Sequence, residues 1–303
     1  MYGPGTPVIA GLLLAGASLA AGAVEVTHGP AAQQACAVVA SSRYSPAAMQ
    51  PPLLPGSEIA SGQRDIGQAW LASPTRRYGH AALGNNLHAA SVHAMLRDAR
   101  DPVSLVLAED RVFEDRIPRL FDLDGDGRDE LVVVEAHAAY GGSLVVYGIE
   151  GSGPAAHWVE RARSAPVGAM RWLNPVGAAD FDGDGRLELA SVSTPHIGGV
   201  LTLYRYQPPR LEVLGRVGGV SNHRYGSPEQ RVSALLPTAA GPVTVVPDAS
   251  FSRLMFHRWD RTGGWRTAFP ALVLPAEAVR ILPQGGAVCV ELAGGAWLRL
   301  TQR

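Results

Sequence analysis

The chain has no lysine: all 26 of its Lys-plus-Arg positions are arginine. Against 27 Asp and Glu they leave a formal net charge of −1, and no run of basic residues occurs. That excludes the electrostatic footprint of a nucleic-acid-binding protein. The arginine bias reads as a GC-rich genome rather than a binding device. Cysteine is scarce, with only Cys36 and Cys289. After the N-terminal segment no apolar run approaches the ~18 residues that a membrane-spanning helix needs. The sequence also lacks G-x-S-x-G, H-E-x-x-H, a P-loop and a dinucleotide-binding glycine pattern, so no familiar catalytic motif is present.

What the sequence does have is turns and short apolar runs. Glycine (35) and proline (23) fall between the apolar stretches of a 303-residue chain. That pattern favours many short strands over long helices. The N-terminus differs from the rest. "VIAGLLLAGASLAAGA" followed by Ala21-Gly22-Ala23 fits a secretory signal peptide over residues 1–23, with an uncleaved anchor as the alternative. No basic residue precedes the apolar stretch, and no cysteine follows it closely, which disfavours a lipoprotein. The expectation is a periplasmic or secreted protein. Residues 24–57, rich in Ala, Gln and Pro, read as an irregular arm ahead of one domain at 58–303.

Within that domain a hairpin signal recurs. "AASVHAML" at Ala89, "LVVVEAH" at Leu131, "LASVSTPH" at Leu189, "VTVVPDAS" at Val243 and "AVCVELAG" at Ala287 are each followed by a turn and a second apolar strand. Several strands per repeat, at intervals of about 40–60 residues, predict an all-β chain folded as a β-propeller. Five blades are expected, with six or seven as alternatives and a duplicated β-sandwich as the competing architecture. Sheets stacked around an axis bury both faces, which explains why "LVVV" is continuously apolar instead of alternating. Trp70 and Trp172, each just upstream of a repeat strand, are expected to pack in the core.

Two segments carry a distinct pattern, "LFDLDGDGRDELVVVEAH" and "ADFDGDGRLELASVSTPH", with Asp122 and Asp180 standing 58 positions apart. In the first, Asp122, Asp124, Asp126 and Glu130 crowd one loop. In the second, Asp180, Asp182, Asp184 and Glu188 do the same. Like charges at such density repel unless a cation lies among them. The intervening glycines permit the tight turn, and the carbonyls of Arg128 and Arg186 could add an oxygen each. An all-oxygen donor set suits Ca²⁺ over softer metals, and Mg²⁺ is disfavoured by its small octahedron and retained waters. An EF-hand is excluded, because its closing Glu stands at loop position 12 and a helix follows; here the acid is at position 9 and a strand follows.

These two segments resemble the FG-GAP or VCBS-type repeat of integrin α-subunit propellers and of many bacterial secreted proteins. The resemblance is specific over about Leu120–Tyr206. It implies a loop between the first and second strands of a blade that holds a structural Ca²⁺, and hence two Ca²⁺ sites. The corresponding stretches "LGNNLHAASV", "LPTAAGPVTVV" and "LPQGGAVCV" lack the acids.

Three further features stand out. Cys36 in the arm and Cys289 in the last repeat could form a disulfide that ties the chain's start to its end. His137 and His196 occupy matching repeat positions before Gly-Gly, and His223-Arg224 lies in a later turn. They read either as turn-forming residues or as a ligand surface on one mouth of the propeller. Asp248, Glu229, His223, Arg224 and Tyr225 are the polar residues available to an enzyme, but their spacing does not single them out. The expected function is therefore a non-catalytic, calcium-stabilised binding or scaffolding propeller. It would be monomeric, with an extracytoplasmic protein or glycan as partner. The alternative is a carbohydrate-active enzyme on the same fold.

Overall fold

A computed structural model describes residues 23–41 and 51–302. The predicted signal peptide therefore lies outside the described residues, except for Ala23. The described residues start with a strand, β1 (Val24–Thr27), and a helix, α1 (Pro30–Ser41). Everything after residue 51 is strand and turn apart from one short 3₁₀ turn. The arm is thus not irregular throughout, because its first part is ordered by the far end of the chain, as shown below.

The strands form five four-stranded antiparallel units. The first contains β2 (Ile59–Ser61), β3 (Ile66–Thr75), β4 (His88–Leu96) and β5 (Val103–Val106). A short strand, β6 (Arg111–Phe113), touches both β4 and the next unit. That second unit is β7 (Arg119–Phe121), β8 (Glu130–His137), β9 (Gly141–Glu150) and β10 (His157–Arg163). The third is β11 (Leu173–Ala179), β12 (Glu188–Ser193), β13 (Val200–Gln207) and β14 (Arg210–Gly218). The fourth is β15 (Ala234–Leu236), β16 (Val243–Pro247), β17 (Arg253–Asp260) and β18 (Gly264–Val273). The fifth joins β19 (Ala278–Gln284), β20 (Ala287–Leu292) and β21 (Trp297–Gln302) to β1. No described sheet closes on itself as a barrel.

The side chains show how the units stack. Leu131, Val132, Val133 and Val134 of β8 are all fully buried. Alternate residues of a strand point to opposite faces. Leu131 and Val133 accordingly pack with Ile66, Leu71 and Val92 of the first unit. Val132 and Val134 pack with Leu173 and Leu189 of the third. The same alternation continues down the chain. Ala190 and Val192 meet Val246 of the fourth unit, while Val243 and Val245 meet Val288 and Val290 of the fifth. The second to fifth units are thus covered on both faces, as in a propeller-type fold. Trp70 and Trp172 are buried, as expected of core residues.

The remaining face of the fifth unit, presenting Leu282, Cys289 and Trp297, packs on Cys36 of α1. Cys36 and Cys289 are joined by a disulfide, with Cα atoms 5.6 Å apart. Both chain ends thus meet in one sheet, through β1–β21 pairing and through this bond. Near the inner strands a buried polar network ties distant segments together. The Gln230 amide donates to Asp115 Oδ1 (3.0 Å), and Asn174 Nδ2 donates to the carbonyls of Gln230 (2.7 Å) and Asn222 (3.1 Å).

One repeat is shifted relative to the sequence reading. "AASVHAML" is β4, the third strand of its unit, whereas the other four repeat strands, β8, β12, β16 and β20, are second strands. The true second strand of the first unit is β3.

Candidate metal centres

The two acidic loops occupy equivalent places. Residues 122–129 link β7 to β8, and residues 180–187 link β11 to β12, so each joins the first and second strands of its unit. Gly125 and Gly127 (φ +77° and +85°), and Gly183 and Gly185 (φ +73° and +89°), lie in the left-handed region that an L side chain rarely adopts. The backbone therefore turns tightly enough to bring separated acids together.

Three carboxylates converge in each loop: Asp122, Asp124 and Glu130 in the first, Asp180, Asp182 and Glu188 in the second. In each trio one oxygen per residue lies within 4.8 Å of the others. Glu130 and Glu188 are buried and held at the start of the second strand. Their Oε2 atoms accept the N–H of Leu123 (2.8 Å) and Phe181 (2.9 Å), which leaves the other oxygen of each for the cage. Burial, reinforced by the neighbouring aspartates, pushes both glutamates up to about 7.

Asp126 and Asp184 do not join these trios. Their Oδ1 atoms accept the N–H of Arg128 and Arg186, each at 2.8 Å, and so hold the loop backbone. The Arg128 side chain turns away to Asp65 Oδ2 (3.1 Å), and Arg186 lines a neighbouring surface cavity. Asp129, which the sequence reading passed over, is a buried brace. It accepts N–H groups of Gln63 (3.3 Å), Arg64 (2.8 Å) and Ile66 (3.3 Å), docking the first loop onto the β2–β3 turn. Its counterpart in the second loop is Leu187, so the spacing of the repeat gives no hint of this role.

The donor set fits a hard cation. Every converging atom is a carboxylate oxygen, and Asp122 Oδ1 is buried with no hydrogen-bond partner. The loops differ in what else touches them. Asp122 is approached by Arg64 (3.1 Å), whereas Asp182 is gripped by both Arg205 (2.6 Å) and Arg261 (3.2 Å). Asp180 already accepts the N–H groups of Gly183, Asp184 and Gly185. A cation in the second loop would compete with two guanidinium groups.

Residues 122–191 match the model of the FG-GAP-like repeat. The match begins at the first aspartate of one loop and ends in β12, just after the second. The FG-GAP-like repeat thus spans both carboxylate trios and the unit between them. No curated protein matched the chain at a significant level.

The histidines lie elsewhere. In an antiparallel unit, the turn joining strands two and three is at the end opposite the turn joining one and two. His137 and His196 therefore sit at the end remote from the FG-GAP-like loops. His196 Nε2 and His223 Nδ1 are 2.7 Å apart. His137 instead stacks on Tyr140 and pairs with Asp110 (3.0 Å). Arg224 bonds Glu277 (2.8 Å) and the Ala278 carbonyl (2.9 Å) and covers the Phe251 ring. Of the four residues proposed for one ligand surface, the structure brings His196 and His223 together and gives His137 and Arg224 other partners. Asp248 and Glu229 are spent on their own turns, the first on Ser250 and Ser252, the second on Arg231.

Proposed function

We propose that the chain is a five-bladed propeller, stabilised by two Ca²⁺, that works outside the cytoplasm as a binding or scaffolding module. The observation that carries this reading is the pair of converging carboxylate trios at the same place in successive units, both inside the FG-GAP-like match. Ca²⁺ would be held by Asp122, Asp124 and Glu130, and by Asp180, Asp182 and Glu188. It would supply the positive charge that lets each loop close over the second strand. Its role is structural, since the buried glutamates anchor the loop to the sheet and present no surface to a substrate. The five four-stranded units support a count of five blades, with the β1–β21 pairing as the closing strand. The disulfide supports an oxidising compartment. Among the described residues, no helix is long and apolar enough to cross a membrane.

The test is thermal unfolding with Ca²⁺ and with EDTA. A site at 100 times its Kd contributes about 2.7 kcal/mol, and extracellular calcium modules bind at roughly 0.1–1 mM. Ca²⁺ at about 10 mM should then contribute about 1.4–2.7 kcal/mol per site and raise the melting temperature visibly. Asp124→Ala and Asp182→Ala should each remove part of that rise, and the double variant most of it. A calcium response that is intact in the double variant would refute the assignment.

A further inference from the structure

At the end of the units opposite the calcium loops, four segments surround a cavity of about 60 Å³. They are the β3–β4 turn with His80, the stretch before β11 with Met170, Arg171 and Trp172, the β12–β13 turn with Thr194, His196 and Ile197, and the β14–β15 connection with Tyr225. By volume it has room for roughly four waters. Three of the six large apolar side chains exposed among the described residues stand at this one cavity: Met170 (47%), Ile197 (59%) and Tyr225 (61%). Met170 (φ +53°) and Thr194 (φ +46°) are also two of the four non-glycine residues held at positive φ among the described residues. Backbone strain of this kind persists where surrounding structure enforces it, and it clusters at sites. Neither the loops' calcium nor the core packing calls for this gathering.

The hydrogen bonds fix what the cavity wall offers. The Ser227 carbonyl can only accept, so His223 Nε2 carries the proton between them (2.9 Å). His223 Nδ1 is then an acceptor, and the proton in its 2.7 Å bond with His196 belongs to His196 Nε2. That leaves His196 Nδ1 as a bare lone pair without a partner among the described residues. Burial keeps both rings neutral, lowering His196 to about 4 and His223 to about 3. His80 is set differently. Its Nδ1 lies 2.7 Å from Oε1 of the fully buried Glu114, so Nε2 is the ring atom left for a ligand. Glu114 Oε2 has no partner, and the Trp172 indole donates to the Glu114 carbonyl (2.8 Å), which locks the cavity floor. His196 stacks parallel on Trp172, with Tyr225 edge-on to it.

We propose that this cavity is a binding site for the edge of a neutral sugar residue. The lone pair at His196 Nδ1 needs a donor, which ionised carboxylate and phosphate oxygens cannot supply, and Arg171 in the wall disfavours an ammonium group as that donor, which leaves a hydroxyl. A hydroxyl can donate to His196 Nδ1, and another can either donate to or accept from His80 Nε2. The apolar face of a pyranose would lie against Tyr225, Ile197 and Met170, the amphipathic pairing that aromatic rims provide. The site stands on its own geometry, at the end remote from the calcium loops, and does not depend on the calcium reading.

The test uses the protein in Ca²⁺ and, separately, in EDTA. The probes are the methyl glycosides of glucose, galactose, mannose and N-acetylglucosamine, at millimolar concentration, read by saturation-transfer NMR and by intrinsic tryptophan fluorescence. At least one glycoside should bind, with transfer strongest at the protons of one ring face. Tyr225→Ala, at an exposed position, should weaken binding at least tenfold without changing the melting temperature. His196→Phe, which keeps a ring on Trp172 but removes the lone pair, should also weaken binding at least tenfold, and it should lower the melting temperature because the buried His223 Nδ1 loses its donor. The proposal is overturned if none of the four glycosides binds, or if binding survives both substitutions. It is equally overturned if micromolar Zn²⁺ binds through His80 and His196, because those lone pairs would then serve a metal. The calcium reading stands or falls on the melting-temperature shift, so the two failures are distinguishable.

Discussion

Asp126 and Asp124 are two residues apart and each accepts a loop N–H, yet only Asp124 also faces the carboxylate cage. Asp124→Ala should abolish calcium occupancy of its loop, whereas Asp126→Asn, whose amide oxygen can still accept the Arg128 N–H, should reduce affinity without abolishing it. Calorimetric titration of each variant checks this. The crowding of acids was readable because spacing alone brings positions 1, 3 and 9 of a tight loop together. The sorting of roles within the crowd was not, because it depends on which N–H groups turn inward. The brace at Asp129 was hidden for the same reason: its partners lie more than sixty residues earlier. The His80, His196 and Tyr225 cluster was out of reach too, since its members come from three separate turns. The histidines carry a second prediction. Burial lowers His88 to about 4, alongside His196 at about 4 and His223 at about 3, from an ordinary value of 6.5. The unfolded chain gains protons as pH falls through about 6.5, while the folded chain resists until about 4. These rings should therefore make stability fall progressively between about pH 7 and pH 3, against an opposing contribution from Glu130 and Glu188, whose raised values favour the folded chain in the upper part of that range. Denaturant midpoints of a Glu130→Gln, Glu188→Gln variant measured across that range should drop; a flat profile there would show that these rings are not neutral and buried.

At the scale of the strand, burial on both faces was the informative signal. The run Leu131–Val134 is apolar without alternation because each neighbour belongs to a different sheet stack. Leu131→Ala should cost about 2–5 kcal/mol, read as a shift in the chemical-denaturation midpoint. A cost under 1 kcal/mol would mean that this face is not closed by the first unit. Strands that depart from the pattern were harder to read. β3, "IGQAWLASPT", is interrupted by Gly67, Gln68, Ser73 and Pro74, so the more apolar β4 took its place in the alignment. β1 has four residues, two of them polar, and owes its conformation to β21 at the other end of the chain. No local pattern announces such a partner. The outermost strands β14 and β18 carry exposed charged residues and read weakly as strands for the same reason.

The whole molecule is held at its ends. Cys36 and Cys289 are 253 positions apart, and their bond fixes α1 over the open face of the fifth unit. A loop of that length constrains the unfolded chain by on the order of 5 kcal/mol in the chain-entropy account. The Cys36→Ser, Cys289→Ser double variant should lose a large part of that and become sensitive to proteolysis at the N-terminal strand first. Equal stability with and without reductant would place the closure in the β1–β21 pairing alone. The order of five stacked units followed from the recurring hairpins, but the helix sealing the last sheet did not, since "PAAQQACAVVAS" looks like the rest of an Ala-rich arm. The calcium account of this assembly is tested most directly by native mass spectrometry of the protein after exchange into millimolar Ca²⁺. It predicts two Ca²⁺ per chain, one in Asp124→Ala and none when Asp182→Ala is added. A wild-type chain carrying no calcium, or two ions that persist in the double variant, would contradict it.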